Sequence, residues 1–158
     1  MKGKCEYITY HIRRAEKGDV TTAYILEREL FGEHSYPDFF FRQAYDCWSN
    51  GFLVAVTQSQ EVVGYVLASP SFIAANKDVC EAWILGVAVD AKMQGQGVGK
   101  ALLKEALAQL ADYNCIWLTV HPDNKALKLY ESLGFVVVEQ EDNYFGCGSP
   151  RFKMRLSR

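Results

Sequence analysis

The sequence predicts an α/β fold in which a mixed central β-sheet carries helices on both faces. A chain of 158 residues has the length of one ordinary domain. An apolar, β-branched run over residues 82–89 leads through a glycine cluster into an amphipathic helix, and a second buried-looking strand follows over residues 116–120. We therefore expect a single domain over residues 1–158 with the element order β-α-α-β-β-β-α-β-α-β-β.

The first half of the chain predicts a strand, two helices and a hairpin. Asp19 is placed to cap the first helix, and Pro37 suits the first turn of the second. The hairpin consists of two short apolar runs joined by polar residues. The predicted bounds are a strand over 7–13, helices over 19–31 and 37–50, and strands over 52–56 and 62–69.

The second half alternates strands and helices and ends in a hairpin. Tyr113 and Asn114 stop the helix that follows the glycine cluster, and Gly134 suits the C-terminal cap of a shorter helix. The predicted bounds are a loop over 71–78, a strand over 82–89, a helix over 98–110, a strand over 116–120, a helix over 126–133, and strands over 135–141 and 151–156.

Composition argues against several classes of function. The net charge of -2 gives no electrostatic footprint for nucleic acid. The apolar runs are far shorter than the roughly 20 residues that a membrane span needs, and no signal peptide is visible, so we expect no membrane association. Five cysteines, each more than 30 residues from the next and without a Cys-x-x-Cys pair, predict neither disulfides nor a metal site. We expect a reduced, cytoplasmic protein, as a monomer or a homodimer.

The glycine cluster from Gln94 to Lys100 predicts an anion site, because unpaired N–H groups and the positive end of the helix dipole meet there. A Walker A loop is disfavoured, since Gln94 and Ala101 replace its first glycine and its hydroxyl residue. A Rossmann turn is disfavoured, since Lys100 stands where the third glycine is needed. The pattern that fits is Gln-x-x-Gly-x-Gly, although a helix that simply begins with flexible glycines is the alternative.

This turn resembles the pyrophosphate-binding turn of the GNAT acetyltransferases. Residues 86–90 are similar to the cofactor-contacting strand of that family. The residues Asn124, Ala126, Leu129-Tyr130 and Leu133-Gly134-Phe135 are similar to its N-x-x-A-x-x-L-Y-x-x-x-G-F segment. The resemblance implies the GNAT fold and an N-acetyltransferase that uses acetyl-CoA as co-substrate, without a metal, and transfers the acetyl group directly to a primary amine.

The resemblance also implies the residues that bind coenzyme A. They lie on the strand end, in the turn and before the next helix: Val87, Ala88, Val89, Gln94, Gly95, Gln96, Gly97, Val98, Gly99, Lys100 and Asn124. A backbone N–H near Val87 is the expected oxyanion donor, and Tyr130 is the expected general acid for the departing thiolate. The alternatives are a core tyrosine at 130, a plain helix cap at 124 and a solvated lysine at 100.

The general base departs from the family pattern. Many GNAT members carry a glutamate on one of two splayed strands, where this chain has Trp83 and Thr119. Glu81 lies two residues before Trp83 and shares its face on a regular strand, so Glu81 acting through a water is the predicted base. A solvated strand-end carboxylate at 81 and a base at His121 are the alternatives.

The acceptor is predicted from two aromatic loops. Tyr36 and Tyr144 lie in segments similar to those of ribosomal-protein alanine and other N-terminal acetyltransferases, which implies that they bind the N-terminus of a protein or peptide. Acidic residues in the same segments favour a polyamine or other small amine instead. An acyl-CoA-binding regulatory domain without catalysis is the alternative from another class. The acidic residues are Glu33, Asp38, Glu141 and Asp142.

Overall fold

The computed structural model describes residues 7–72 and 78–158, and its helices and strands follow one another in the predicted order. Part of the predicted loop over 71–78 lies outside the described residues. The elements are β1 Tyr10–Arg14, α1 Val20–Phe31, α2 Asp38–Cys47, β2 Phe52–Thr57, β3 Val62–Pro70, β4 Glu81–Val89, α3 Val98–Gln109, β5 Cys115–Val120, α4 Leu127–Ser132, β6 Val136–Glu141 and β7 Arg151–Ser157.

The strands form the mixed sheet that was predicted. Their order is β1-β2-β3-β4-β5-β7-β6. β4 and β5 pair in parallel, whereas β1 with β2, β2 with β3, β5 with β7, and β6 with β7 pair antiparallel. The chain divides into two compact units, residues 1–67 with 86–109, and residues 68–85 with 110–158. Whether residues 1–158 behave as one domain stays a prediction.

The first unit has helices on both faces of its strands. A Cβ at Gly64 of β3 would lie 3.0 Å from Leu102 of α3, so this face packs against α3. The next residue, Tyr65, points to the other face, where its ring meets Phe41 of α2 edge-on at 5.3 Å. The close approach of α3 explains why a glycine stands at 64.

The second unit is built on the β5–β7–β6 strands and α4. Its core contains Ile116, Leu118 and Met154, all at most 1% exposed, together with Phe135 after α4. Gly134 ends α4 with a φ of +97°, and its N–H donates to the Glu131 carbonyl at 3.0 Å. The predicted C-terminal cap is thereby confirmed, since glycine adopts this conformation without strain.

Some predicted bounds differ from those observed. β1 begins at Tyr10 rather than at residue 7, because Tyr7 is 84% exposed and lies outside the pairing with β2. Asp19 precedes α1 as predicted, but its side chain does not cap that helix. Its carboxylate instead accepts hydrogen bonds from the Arg13 guanidinium at 2.6 Å and from the Glu16 N–H at 2.7 Å. Among the described residues, no helix has the length and apolar composition that crossing a bilayer requires.

Candidate active site

The turn between β4 and α3 has the backbone conformation that its glycines predict. Gly95 and Gly97 have φ values of +79° and +81°, a region that other L-residues rarely adopt. A Cβ at either position would meet nothing within 4 Å, so space lies open beside the turn. The Ala101 N–H donates to the Gly97 carbonyl at 3.0 Å and begins the helical ladder. The three preceding amides of α3 therefore have no carbonyl acceptor within the helix.

Side chains around the turn hold it in place. The Asp90 carboxylate accepts from the Lys92 N–H at 3.0 Å, and the Lys92 ammonium forms an ion pair with Glu61. The Gln94 side-chain amide donates to the Val89 carbonyl at 3.1 Å. The Gln94 side chain thus connects the turn to the end of β4. The predicted contact of Gln94 with the cofactor would come from groups other than this side-chain NH₂, such as its backbone.

The open turn fits a pyrophosphate. Amide N–H groups at the start of a helix, together with the helix dipole, favour an anion. Val98 is 1% exposed because its side chain packs into the core, so only its backbone faces the turn. Lys100 is exposed on the first turn of α3, where a cation could approach a bound phosphate.

The C-terminal half of β4 presents alternate backbone groups to β3. The Asp90 N–H donates to the Val63 carbonyl at 2.8 Å, and the Ala88 carbonyl lies 3.1 Å from the position that a Cβ on Gly64 would take. Residues 88 and 90 therefore face β3. By alternation, the backbone N–H of Val87 faces away from β3, as the predicted oxyanion donor requires.

At the N-terminal end of β4, the odd-numbered residues face β3 instead of the even-numbered ones. There the Glu81 carbonyl accepts from the Ser71 N–H at 2.9 Å on the β3 side, and the Cys80 carbonyl accepts from the Cys115 N–H at 3.2 Å on the β5 side. Odd-numbered residues face β3 at this end and even-numbered residues face it at the other. A one-residue irregularity within β4 is therefore needed, and it turns the Val87 and Val89 peptides outward.

Tyr130 is buried on α4 with 7% of its surface exposed, and its ring meets Phe135 edge-on at 6.1 Å. Burial raises the pKa of Tyr130 to about 12, against a smaller opposing effect of the Arg151 charge. The phenol therefore keeps its proton throughout the physiological range, which a proton donor requires. The edge-on packing against Phe135 also shows that Tyr130 contributes to the core.

Asn124 acts as a cap before α4. Its side-chain oxygen accepts from the Ala126 N–H at 2.9 Å. Ala126 follows Asn124 by two positions, whereas in the N-x-x-A-x-x-L-Y segment of the GNAT family the alanine follows the asparagine by three positions. Asp123 therefore stands at the asparagine position of that pattern. The side-chain amide of Asn124 is the group left for its predicted contact with the cofactor.

Glu81 contacts a tryptophan that sequence reasoning assigned no role. The Trp117 indole N–H donates to the Glu81 carboxylate at 3.0 Å. Trp117 is paired with Trp83 across β4 and β5, and the two rings stack with their centroids 6.0 Å apart. The Lys153 ammonium lies 4.7 Å from the Trp117 centroid and 5.7 Å from that of Trp83. Lys153 could have been found only from the register that places it opposite Thr119.

The two tyrosines predicted to bind the acceptor are both partly buried. Tyr36 stacks on Phe40 at 4.3 Å, and its N–H donates to the Glu27 carboxylate at 3.2 Å. Tyr144 in the β6–β7 loop meets the Phe145 ring edge-on at 4.8 Å. Sequence reasoning missed Glu27, although its spacing from buried residues of α1 places this charged side chain on the core-facing side of the helix.

Comparison with known proteins gives consistent results. Residues 19–135 match the model of the acetyltransferase (GNAT) family. The chain is 30% identical over 141 residues to the ribosomal protein bS18-alanine N-acetyltransferase of Escherichia coli strain K12, an alignment that covers 85% of this chain and 86% of that protein.

Solved structures share the fold. Ard1 from Thermoplasma volcanium superposes with a TM-score of 0.82 at 25% identity, covering 95% of this chain and 98% of that one. Naa50 of Arabidopsis thaliana, in complex with the bisubstrate analogue CoA-Ac-MVNAL, superposes with a TM-score of 0.80 at 19% identity, covering 96% of this chain and 100% of that one. At 19% identity the likeness shows the fold alone.

Proposed function

The chain belongs to the acetyltransferase (GNAT) family, and on that premise we propose that it transfers the acetyl group of acetyl-CoA directly to the N-terminal α-amine of a protein or peptide. The observation that carries the proposal is the turn at Gly95 and Gly97, where positive φ values leave open space beside the unpaired amides of α3. An anion such as the pyrophosphate of coenzyme A suits this turn. The turn amides and the outward-facing backbone of Val87 and Val89 would bind acetyl-CoA.

The transfer needs three groups besides the substrates. The amine nitrogen attacks the thioester carbonyl carbon, the new C–N bond forms, and the C–S bond breaks. The Val87 N–H stabilises the oxyanion, and Tyr130 gives its proton to the departing sulfur and regains one from solvent. Glu81 accepts, through a water, the proton that the amine loses.

The choice of acceptor follows from the absence of a glutamate at the two strand positions where the family often carries one. An α-amine has a reference pKa of about 7.7–8.0, against about 10.4 for a lysine-like amine, so far more of it is neutral at pH 7. An α-amine therefore suits a site where Trp83 and Thr119 replace the familiar glutamates. The Lys153 ammonium over Trp117 adds positive charge to this part of the sheet, and Arg155 lies 5.7 Å from the same ring. Both cations oppose a polycationic acceptor.

The relatives support the same choice. The Escherichia coli relative, 30% identical, acts on the alanine of a ribosomal protein. The bisubstrate analogue in the Arabidopsis thaliana Naa50 complex joins coenzyme A to an acetylated peptide, MVNAL. Tyr36 and Tyr144 would hold the acceptor peptide by hydroxyl hydrogen bonds and apolar contact.

A thiol-release assay tests the acceptor. Short peptides with a free N-terminus are compared with spermidine and with the same peptides blocked at the N-terminus but carrying a lysine. We expect the highest kcat/KM for the free N-termini. Preference for spermidine or for the blocked lysine peptides would overturn the acceptor choice. Binding of acetyl-CoA without thiol release from any of these amines would favour the regulatory alternative.

A further inference from the structure

Glu27 of α1 is a charged residue in the core, with only 3% of its surface exposed. One carboxylate oxygen accepts a hydrogen bond from the Tyr65 hydroxyl of β3. The other accepts from the backbone N–H of Tyr36, nine residues farther along the chain, at 3.2 Å. A buried carboxylate costs desolvation free energy that an apolar side chain would avoid, so these hydrogen bonds need an explanation.

The first partner connects Glu27 to β4. Tyr65 is fully buried, with its ring edge-on to Phe41 at 5.3 Å and to Phe52 at 6.1 Å. Its hydroxyl oxygen lies 2.8 Å from the position that a Cβ on Gly86 would take. Only a glycine tolerates this approach. Because Tyr65 has no exposed surface, it cannot touch a substrate and acts through the groups that it contacts.

The second partner is the segment predicted to bind the acceptor. The Tyr36 ring stacks on Phe40 at 4.3 Å with an interplanar angle of 18°, at the start of α2. The Glu27 carboxylate accepts from the backbone N–H of Tyr36 and from the Tyr65 hydroxyl, so one side chain joins the Tyr36 segment to Tyr65. The Tyr65 hydroxyl in turn lies against Gly86 of β4. Gly86 is the residue before Val87, whose N–H is the proposed oxyanion donor.

We propose that Glu27 is a positioning residue that sets the acceptor site, by fixing the Tyr36 backbone relative to β4 through Tyr65 and Gly86. The proposal rests on the proposed function for the assignment of Tyr36 to the acceptor. A segment that is already held in its binding conformation loses less conformational freedom when a ligand binds, so this bridge of hydrogen bonds through Glu27 can govern acceptor binding without contacting the acceptor.

The first experiment removes one hydroxyl. Tyr65→Phe keeps the packed ring but deletes a hydrogen bond to a charged group, and we expect the KM for the acceptor to rise about tenfold, because the Glu27 carboxylate that holds the Tyr36 N–H is then no longer held by β3. The KM for acetyl-CoA should stay within about twofold. The matched control is Tyr24→Phe, which removes the exposed hydroxyl that accepts from Arg28 on the same helix and should change neither KM. An unchanged acceptor KM in Tyr65→Phe, or an equal rise in both KM values, would overturn the proposal.

The second experiment separates positioning from proton transfer. A glutamine at 27 can accept from the Tyr36 N–H and donate to the Tyr65 hydroxyl oxygen, so Glu27→Gln should restore most of the acceptor affinity that Glu27→Leu loses. Loss of kcat in Glu27→Gln with an unchanged acceptor KM would mean that Glu27 transfers a proton, and would also overturn the proposal.

A readout without catalysis separates this inference from the proposed function. Amide hydrogen exchange at Tyr36, followed by NMR, should accelerate at least tenfold in Glu27→Leu and stay close to wild type in Glu27→Gln. If wild type acetylates no α-amine while the exchange changes as expected, the proposed function fails and the bridge stands. Exchange at Tyr36 that is equal in wild type and Glu27→Leu would refute the bridge itself.

Discussion

The Glu81 carboxylate accepts a hydrogen bond from the Trp117 indole N–H at 3.0 Å, so the predicted base on β4 is oriented by the neighbouring strand β5. The stacking of Trp117 on Trp83 restricts the indole in turn. A glutamine at 81 can accept the same hydrogen bond through its side-chain carbonyl. Glu81→Gln therefore removes the basic group with little change of structure.

We expect Glu81→Gln to lower kcat/KM about tenfold at pH 7 and to match wild type near pH 9. At pH 7 about one α-amine in ten is neutral, whereas near pH 9 nearly all are, and a neutral amine needs no base. The measurement is the pH profile of kcat/KM for a peptide with a free N-terminus. A deficit of the same size at every pH would assign Glu81 a structural role.

We expect Gly97→Glu to abolish stabilisation by acetyl-CoA. A ligand at 100 times its Kd adds about 2.7 kcal/mol, which raises Tm by roughly 5–10 °C in a protein of this size. A glutamate at 97 places a side chain and a negative charge in the anion site. The control is Gly148→Glu, because Gly148 has a similar φ of +77° and equally open surroundings in the β6–β7 loop. If wild type itself shows no Tm shift at saturating acetyl-CoA, the turn does not bind it.

We expect Tyr130→Phe to lower kcat by about 10²- to 10⁴-fold, the usual contribution of a positioned acid. Because burial holds the pKa of Tyr130 at about 12, the wild-type profile should show no loss of activity from its ionisation below about pH 10. Tyr113→Phe, on a partly exposed tyrosine of the same unit, is the control. Wild-type turnover in Tyr130→Phe, where chemistry limits the rate, would leave Tyr130 a packing residue only.

We expect Asp19→Asn to destabilise the fold by about 1–2 kcal/mol at pH 7, since Asp19 loses charged hydrogen bonds to Arg13 and Glu16. Burial opposes ionisation of Asp19, but these two donors hold its pKa below the ordinary value. A carboxylate with a lowered pKa stabilises the fold above its unfolded pKa, and this contribution disappears as the pH falls through the folded value.

Urea unfolding at pH 7 and at pH 3 tests this expectation, and the difference between wild type and Asp19→Asn should shrink at pH 3. The control is Asp46→Asn, whose exposed ion pair with Arg42 should contribute less than about 0.5 kcal/mol at either pH. A difference for Asp19→Asn that does not change between the two pH values would contradict the assignment.

The order of the elements and the glycine turn could be predicted because their signals are local. The positive φ values of Gly97 and Gly134 are requirements of single residues that glycine alone meets easily. The bounds of the strands are not local, since residues such as Tyr7 belong to a strand only if a partner strand reaches them. The expectation that the Asp19 side chain caps α1 was wrong, because its carboxylate binds the Arg13 guanidinium of β1 instead of an N–H group of the helix.

The sequence by itself therefore determined the fold class, the family pattern and the turn between β4 and α3, all of which depend on residues close together in the chain. Only the tertiary structure decided which side chains surround Glu81 and what the Glu27 carboxylate binds. Glu27 and Tyr65 are 38 residues apart, and Glu81 and Trp117 are 36 apart. Pairs so distant meet through strand register and helix packing, which depend on the free energy of the whole core rather than on any local propensity.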